Sequence, residues 1–133
     1  MGRSSPLVEG LSAVARTILI VDDDRAVVDL LTEVLTEYGY VVRVAYDGRM
    51  ALEAVDRLAT DLVVTDVRMP RMDGLDLVRR LRRRDAPIPV LVLTGVVDDT
   101  GLADEVPVIA KPFDVDDVLR AIDRLITHAL NAS

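Results

Sequence analysis

The chain has no cysteine, so no disulfide framework can form and nothing argues for an oxidising compartment. It also has no long apolar run. Stretches such as Ile18 to Val21 and Val90 to Leu93 fall far short of the roughly 18 residues that signal a membrane span, and a soluble, cytoplasmic protein is expected. Ala13-Val14-Ala15 imitates a signal-cleavage site, but Glu9 and Gly10 interrupt the apolar stretch that must precede one. Pro6 stands where N-myristoylation wants Ser or Thr. Positive charge is in deficit: 16 basic residues against 23 acidic ones give a net charge of -7. That balance repels a phosphate backbone, so direct nucleic-acid binding is not expected. Lysine is nearly missing too, for 15 of the 16 basic residues are arginine and Lys111 is the remaining one. An ammonium is a compact point charge that the flat guanidinium fork does not imitate, which makes the position of Lys111 informative.

What is present fits one domain. A chain of 133 residues can bury about two-thirds of the surface its unfolded form exposes. Residues 1–16 carry Gly, Ser and Pro without clean periodicity and are expected to be a flexible N-terminal extension, with a short helix over Leu7 to Ala15 as the alternative. Residues 17–130 form the domain proper and 131–133 a tail, with no appended effector expected.

Within the domain, apolar runs alternate with helical patterns. Thr17 to Val21 reads as a buried strand, followed at once by Asp22, Asp23 and Asp24, the last placed to cap a helix. Val27, Val28, Leu30, Leu31, Val34 and Leu35 recur at helical spacing up to a stop at Tyr38-Gly39. Val41 to Ala45 is a second strand, Asp47-Gly48 a turn, and Ala51, Leu52, Val55 and Leu58 mark a second helix. Leu62 to Asp66 is a third strand; Met69-Pro70 bars its continuation, and Asp73-Gly74 opens a helix carrying Leu75, Val78 and Leu81. Arg79, Arg80, Arg82, Arg83 and Arg84 read as its solvated face, their charge suited to the helix C-terminus. Val90 to Leu93 and Val108 to Ala110 are further strands, and a terminal helix capped by Asp114 carries Val115, Val118, Leu119, Ile122, Leu125 and Ile126. His128, near its end, reads as a surface residue. The expected fold class is α/β: a flavodoxin-like, doubly wound, five-stranded parallel sheet of order 2-1-3-4-5.

In such a sheet the C-terminal strand ends share one edge, where ligands and chemistry collect. Asp22 and Asp23 follow the first strand, Asp66 ends the third, Thr94 the fourth and Lys111 the fifth. Unit charges ~4 Å apart repel by about 4 kcal/mol at an effective dielectric near 20, so the three acids call for a cation. Few, open, all-oxygen ligands suit Mg²⁺, which keeps several waters and accepts phosphate oxygens. Thr94 and Lys111 add a hydroxyl and an ammonium to a phosphate site.

With these residues in place, the chain resembles the receiver domain of bacterial two-component response regulators from about Thr17 to Leu130. The resemblance rests on VDD at 21–23, DVRMPRMDG at 66–74, LTG at 93–95 and KPFD at 111–114. It implies that Asp66 accepts a phosphoryl group from the phosphohistidine of a sensor histidine kinase or a histidine phosphotransfer protein. It further implies Mg²⁺ held by Asp22, Asp23, Asp66 and the backbone carbonyl of Arg68, with Lys111 pairing with phosphoryl oxygens and the Thr94 hydroxyl acting as switch. Such a domain is a switch rather than an enzyme in the ordinary sense, although it catalyses its own phosphorylation and dephosphorylation. Its output goes to an unidentified protein partner or onward through a phosphorelay.

Two features depart from the family pattern. The twelve residues Gly95 to Val106 make up most of the link between the fourth and fifth strands, about the minimum for a parallel crossover, so the family's fourth helix is expected to be shortened or missing. Val108 stands three residues before Lys111, where receivers usually carry an aromatic partner for the threonine switch. Both losses touch the face that many receivers use for output, which directs attention to the first-helix side or to reordering of residues 95–107. A receiver-shaped adaptor that works without phosphorylation is the alternative reading. A haloacid-dehalogenase-type phosphatase ranks far below, because it expects an acid where Arg68 stands.

Overall fold

The computed structural model describes residues 15–68, 74–84, 86–95 and 102–131. The N-terminal residues up to 14 and residues 69–73, 96–101 and 132–133, all subjects of sequence expectations, lie outside the described residues. Five strands, β1 (Thr17–Val21), β2 (Val41–Ala45), β3 (Leu62–Thr65), β4 (Val90–Thr94) and β5 (Val108–Ala110), alternate with α1 (Arg25–Glu37), α2 (Gly48–Arg57), α3 (Gly74–Arg82) and α4 (Val115–Asn131). All pairings are parallel and the order is β2-β1-β3-β4-β5, as the alternation of patterns predicts.

The central strands read as near-continuous apolar runs because both of their faces are covered. Side chains alternate between the faces. Ile18, Ile20, Leu62, Val64, Leu91 and Leu93 meet Val28, Leu31 and Leu35 of α1 and Val118, Ile122 and Ile126 of α4. Leu19, Val21, Val63, Val90 and Val92 meet Ala51 and Val55 of α2 and Leu77, Val78 and Leu81 of α3. Each fully buried Leu or Ile contributes roughly 1.5–3 kcal/mol relative to an exposed one, so these two layers hold the sheet edge in place. Among the described residues no helix is long and apolar enough to cross a membrane.

The helix ends follow local chemistry. Asp24 accepts the amides of Ala26 and Val27 and starts α1, as expected from the sequence. Beyond Tyr38 the chain turns through Gly39 at φ +93°, a left-handed conformation glycine adopts without a Cβ clash. Asp47 caps α2 by accepting the Met50 amide at 2.8 Å, so the Asp47-Gly48 pair read as a turn is the helix start itself. Asp114 accepts the Asp116 amide at 2.9 Å at the head of α4.

Between β4 and β5 the described residues hold one 3-10 turn, Leu102–Asp104. It is anchored by Leu102 and Val106, both buried against the α2 and α3 layer, and by an ion pair from Arg82 Nη1 to Glu105 Oε1 at 3.0 Å. In the described part of this connection two apolar side chains thus cover the sheet face. Val108 is half-buried on the same layer.

Candidate functional site

The site forms where β1, β3 and β5 end. Registers pairing Val21 with Thr65 and Thr94 with Ala110 bring the strand ends level, and the residues that follow share one rim. Asp22 is 3% exposed, its amide bonded to Ala45 of β2 at 3.2 Å. Its Oδ1 accepts the Asp24 amide at 2.9 Å and its Oδ2 accepts the Lys111 ammonium at 2.7 Å. Asp23, next in the chain, is exposed. Asp66, immediately after β3, donates its amide to the Val21 carbonyl at 3.1 Å. Its two carboxylate oxygens are used differently: Oδ1 accepts the amides of Val67 at 2.6 Å and Arg68 at 3.3 Å, and Oδ2 accepts Lys111 Nζ at 3.1 Å. Val67 and Arg68 thus satisfy one oxygen and leave the other towards the cation.

Asp22, Asp23 and Asp66 each offer a carboxylate oxygen lying within 4.8 Å of the other two. Three negative charges against one ammonium leave an excess of two. The donors are hard oxygens without histidine or cysteine, the chemistry of a Mg²⁺-type cation. Burial pushes the Asp22 carboxyl above the usual carboxylate range; the Lys111 hydrogen bond, the Asp24 amide and the lysine charge oppose this, and the Asp66 charge adds to it. Lys111 is lopsided in the other direction. Burial pulls its ammonium down, but hydrogen bonds to Asp22 and Asp66 and their charges outweigh that and raise it. The charged form of the lysine is therefore favoured, while for Asp22 burial disfavours the ionised form more than its partners favour it.

Thr94 is buried at the end of β4, and its carbonyl accepts the Lys111 amide at 2.9 Å, so switch candidate and lysine share a backbone link. The structure therefore gathers Asp22, Asp23, Asp66 and Lys111, with Thr94 beside them. Arg68 enters through its backbone amide. Three contacts were not read from the sequence: the Thr65 hydroxyl on the Asp66 carbonyl at 2.9 Å, the seating of Gly74 on that carbonyl, and the Arg25 guanidinium 4.4 Å over the Tyr46 ring at the head of α1. A hydroxyl closing the otherwise aliphatic LVVT strand was the available signal for the first.

Comparison with known proteins agrees with this geometry. A family model described as the response regulator receiver domain matches residues 18–123. The response regulator MprA of Mycobacterium leprae is 43% identical over 117 residues, covering 82% of this chain and 50% of that protein. Its counterpart in Mycolicibacterium vanbaalenii is 41% identical over 117 residues, covering 82% of this chain and 49% of its own length. The chain thus spans about half the length of the curated relatives it matches. Among solved structures, the response regulator TrrA of Thermotoga maritima, in complex with Mg²⁺ and BeF, superimposes with a TM-score of 0.76 at 27% identity, covering 83% of this chain and 98% of that one.

Proposed function

The chain belongs to the response regulator receiver family, and from that premise we propose that Asp66 is the phosphoacceptor of a switch spanning residues 17–130. The donor is the phosphohistidine of a sensor histidine kinase or a histidine phosphotransfer protein. Asp66 Oδ2 attacks phosphorus, the phosphorus–nitrogen bond breaks, and the imidazole leaves with the electron pair, giving an acyl phosphate on Asp66. Water later attacks the phosphoryl group and restores the carboxylate. The observation that carries this reading is the unequal use of the Asp66 carboxylate: two backbone amides on Oδ1 and, among the described residues, Lys111 alone on Oδ2.

Lys111 holds a positive charge where phosphoryl oxygens would lie, and fixed charge at such a place stabilises the transferring group without reorganisation. Mg²⁺, held by Asp22, Asp23, Asp66 and the Arg68 carbonyl, would supply further neutralisation of the phosphoryl charge. Thr94 is assigned as the switch hydroxyl that engages the phosphoryl group after transfer. Asp22 is not a competing acceptor in this reading, because its side chain is 4% exposed against 13% for Asp66 and is the less open to a phosphodonor. Output passes to a protein partner or to a further phosphotransfer step.

The test is the intact mass of the protein after incubation with Mg²⁺ and acetyl phosphate, beside an Asp66→Asn control. One phosphoryl adduct, absent in the control and absent without Mg²⁺, is expected. Val108 at the usual aromatic position favours one second reading, a receiver-like adaptor working without phosphorylation. No adduct, together with no rise in melting temperature on adding Mg²⁺, would put that reading first.

A further inference from the structure

Thr65 closes β3 and is 1% exposed. Alternation along the strand turns it to the face of Val63, the apolar layer of α2 and α3, where valine would fill the same volume without a polar atom. The chain has a hydroxyl there, and that hydroxyl donates to the carbonyl of Asp66 at 2.9 Å.

The Asp66 carbonyl and the Val67 amide are the two ends of one planar peptide group. The amide end donates to Asp66 Oδ1 at 2.6 Å. Turning this plane moves both ends together, so a hydroxyl holding the carbonyl also aims the amide at the carboxylate. The outer side is closed by Gly74. A Cβ built there would lie 2.1 Å from the Asp66 oxygen and 2.6 Å from the Val67 Cα, and the Gly74 amide donates to the Val67 carbonyl at 2.7 Å. The plane is therefore held between the end of β3 and the start of α3.

We propose that Thr65 is a positioning residue for phosphoryl transfer: its hydroxyl locks the Asp66–Val67 peptide plane and thereby dedicates Oδ1 to the backbone and Oδ2 to the reaction. The inference rests on Asp66 being the acceptor. Without the hydroxyl the plane rocks, the amide leaves Oδ1 for part of the time, and the carboxylate spends less time with Oδ2 facing Lys111. Reaction rate follows the population of the aligned arrangement.

The experiment compares wild type, Thr65→Val, Thr65→Ser and Asp66→Asn. Initial rates of phosphoryl uptake from acetyl phosphate with Mg²⁺ are read by intact mass, folding midpoints in urea, and the chemical shift of the Val67 amide proton by NMR. Thr65→Val is expected to keep a midpoint close to wild type and to take up phosphoryl about five- to tenfold more slowly, the range a single net hydrogen bond supports. Its Val67 amide proton should move upfield as the short bond loosens. Thr65→Ser should restore both rate and shift. Uptake by Thr65→Val at the wild-type rate overturns the inference, as does equal slowing in valine and serine variants, which would indicate packing and not the hydroxyl. Absence of uptake in the wild type removes the phosphoacceptor reading instead. The amide shift still decides whether Thr65 sets the plane, and an unchanged shift in Thr65→Val rejects it.

Discussion

Lys111 Nζ lies 2.7 Å from Asp22 Oδ2, an ion pair joining residues 89 apart in sequence across the ends of β1 and β5. The lysine side chain is only 18% exposed, so solvent replaces little of what the pair loses when broken. Replacing Lys111 with Met leaves three acids without their cation. Leaving a buried charged partner unsatisfied costs about 1–3 kcal/mol, and a fall of that size in unfolding free energy is expected from urea titration. Added Mg²⁺ should raise the midpoint more in this variant than in wild type, since it meets uncompensated carboxylates. A variant as stable as wild type without metal would show the pair to be energetically idle.

Asp22 behaves in the opposite sense. Burial disfavours its ionised form, and Asp66 adds repulsion, so Asp22→Asn removes a disfavoured charge while keeping an acceptor for the Asp24 amide. Without metal at pH 7 the variant is expected to melt above wild type. It should also lose the Mg²⁺-dependent rise in melting temperature that binding to the folded state alone produces. The two melting curves, each with and without Mg²⁺, check both halves.

The alkaline limb of stability should carry a signature of Tyr40. Burial and, secondarily, the charge of Asp123 raise its phenol above 10.0. The unfolded chain therefore releases this proton at lower pH than the folded one, and stability is retained below 10.0 and lost as pH rises through the folded value. Lys111, raised above 10.5, acts in the same direction. Tyr40→Phe should flatten the decline in urea midpoint above pH 10 but leave the lysine part in place. An unchanged slope would mean that Tyr40 titrates alike in both states.

The turn between β4 and β5 offers a contrast between packing and charge. Leu102 is 1% exposed, and truncating such a residue to Ala costs about 2–5 kcal/mol. The Arg82–Glu105 pair is 46% and 34% exposed on its two side chains, and pairs of that kind contribute about 0–1 kcal/mol. Urea titration of Leu102→Ala and Glu105→Ala should rank them in that order. The reverse order would make the ion pair the principal tether of the turn.

Much of this architecture could be read from residue order because apolar runs ending in acids are physically unambiguous. A carboxylate such as Asp22 or Asp66 cannot continue a doubly covered strand, so it marks the strand's end and the functional edge together. Asp24 announced its helix by the same logic. Gly48 misled in detail: glycine disfavours helix interiors, yet the first helical position follows an Asp47 cap and tolerates it. Thr65 was overlooked because threonine suits strands, so the one signal it offered, a hydroxyl ending an aliphatic run, reads equally well as ordinary strand propensity. Gly74 hid within a turn signal, since a close approach across the Asp66 loop is a tertiary event. In the connection between β4 and β5, burial of Leu102 against the α2 and α3 layer depends on shape rather than pattern.

The order β2-β1-β3-β4-β5 leaves β2 and β5 as the sheet's two outermost strands among the described residues. β5 is only three residues long and gives way at once to Lys111-Pro112, while β2 carries the exposed Arg43 at its midpoint. A brief margin and a charged one are both poor templates for another strand. Edge-to-edge growth into ribbons or fibrils therefore has little to build on at either margin.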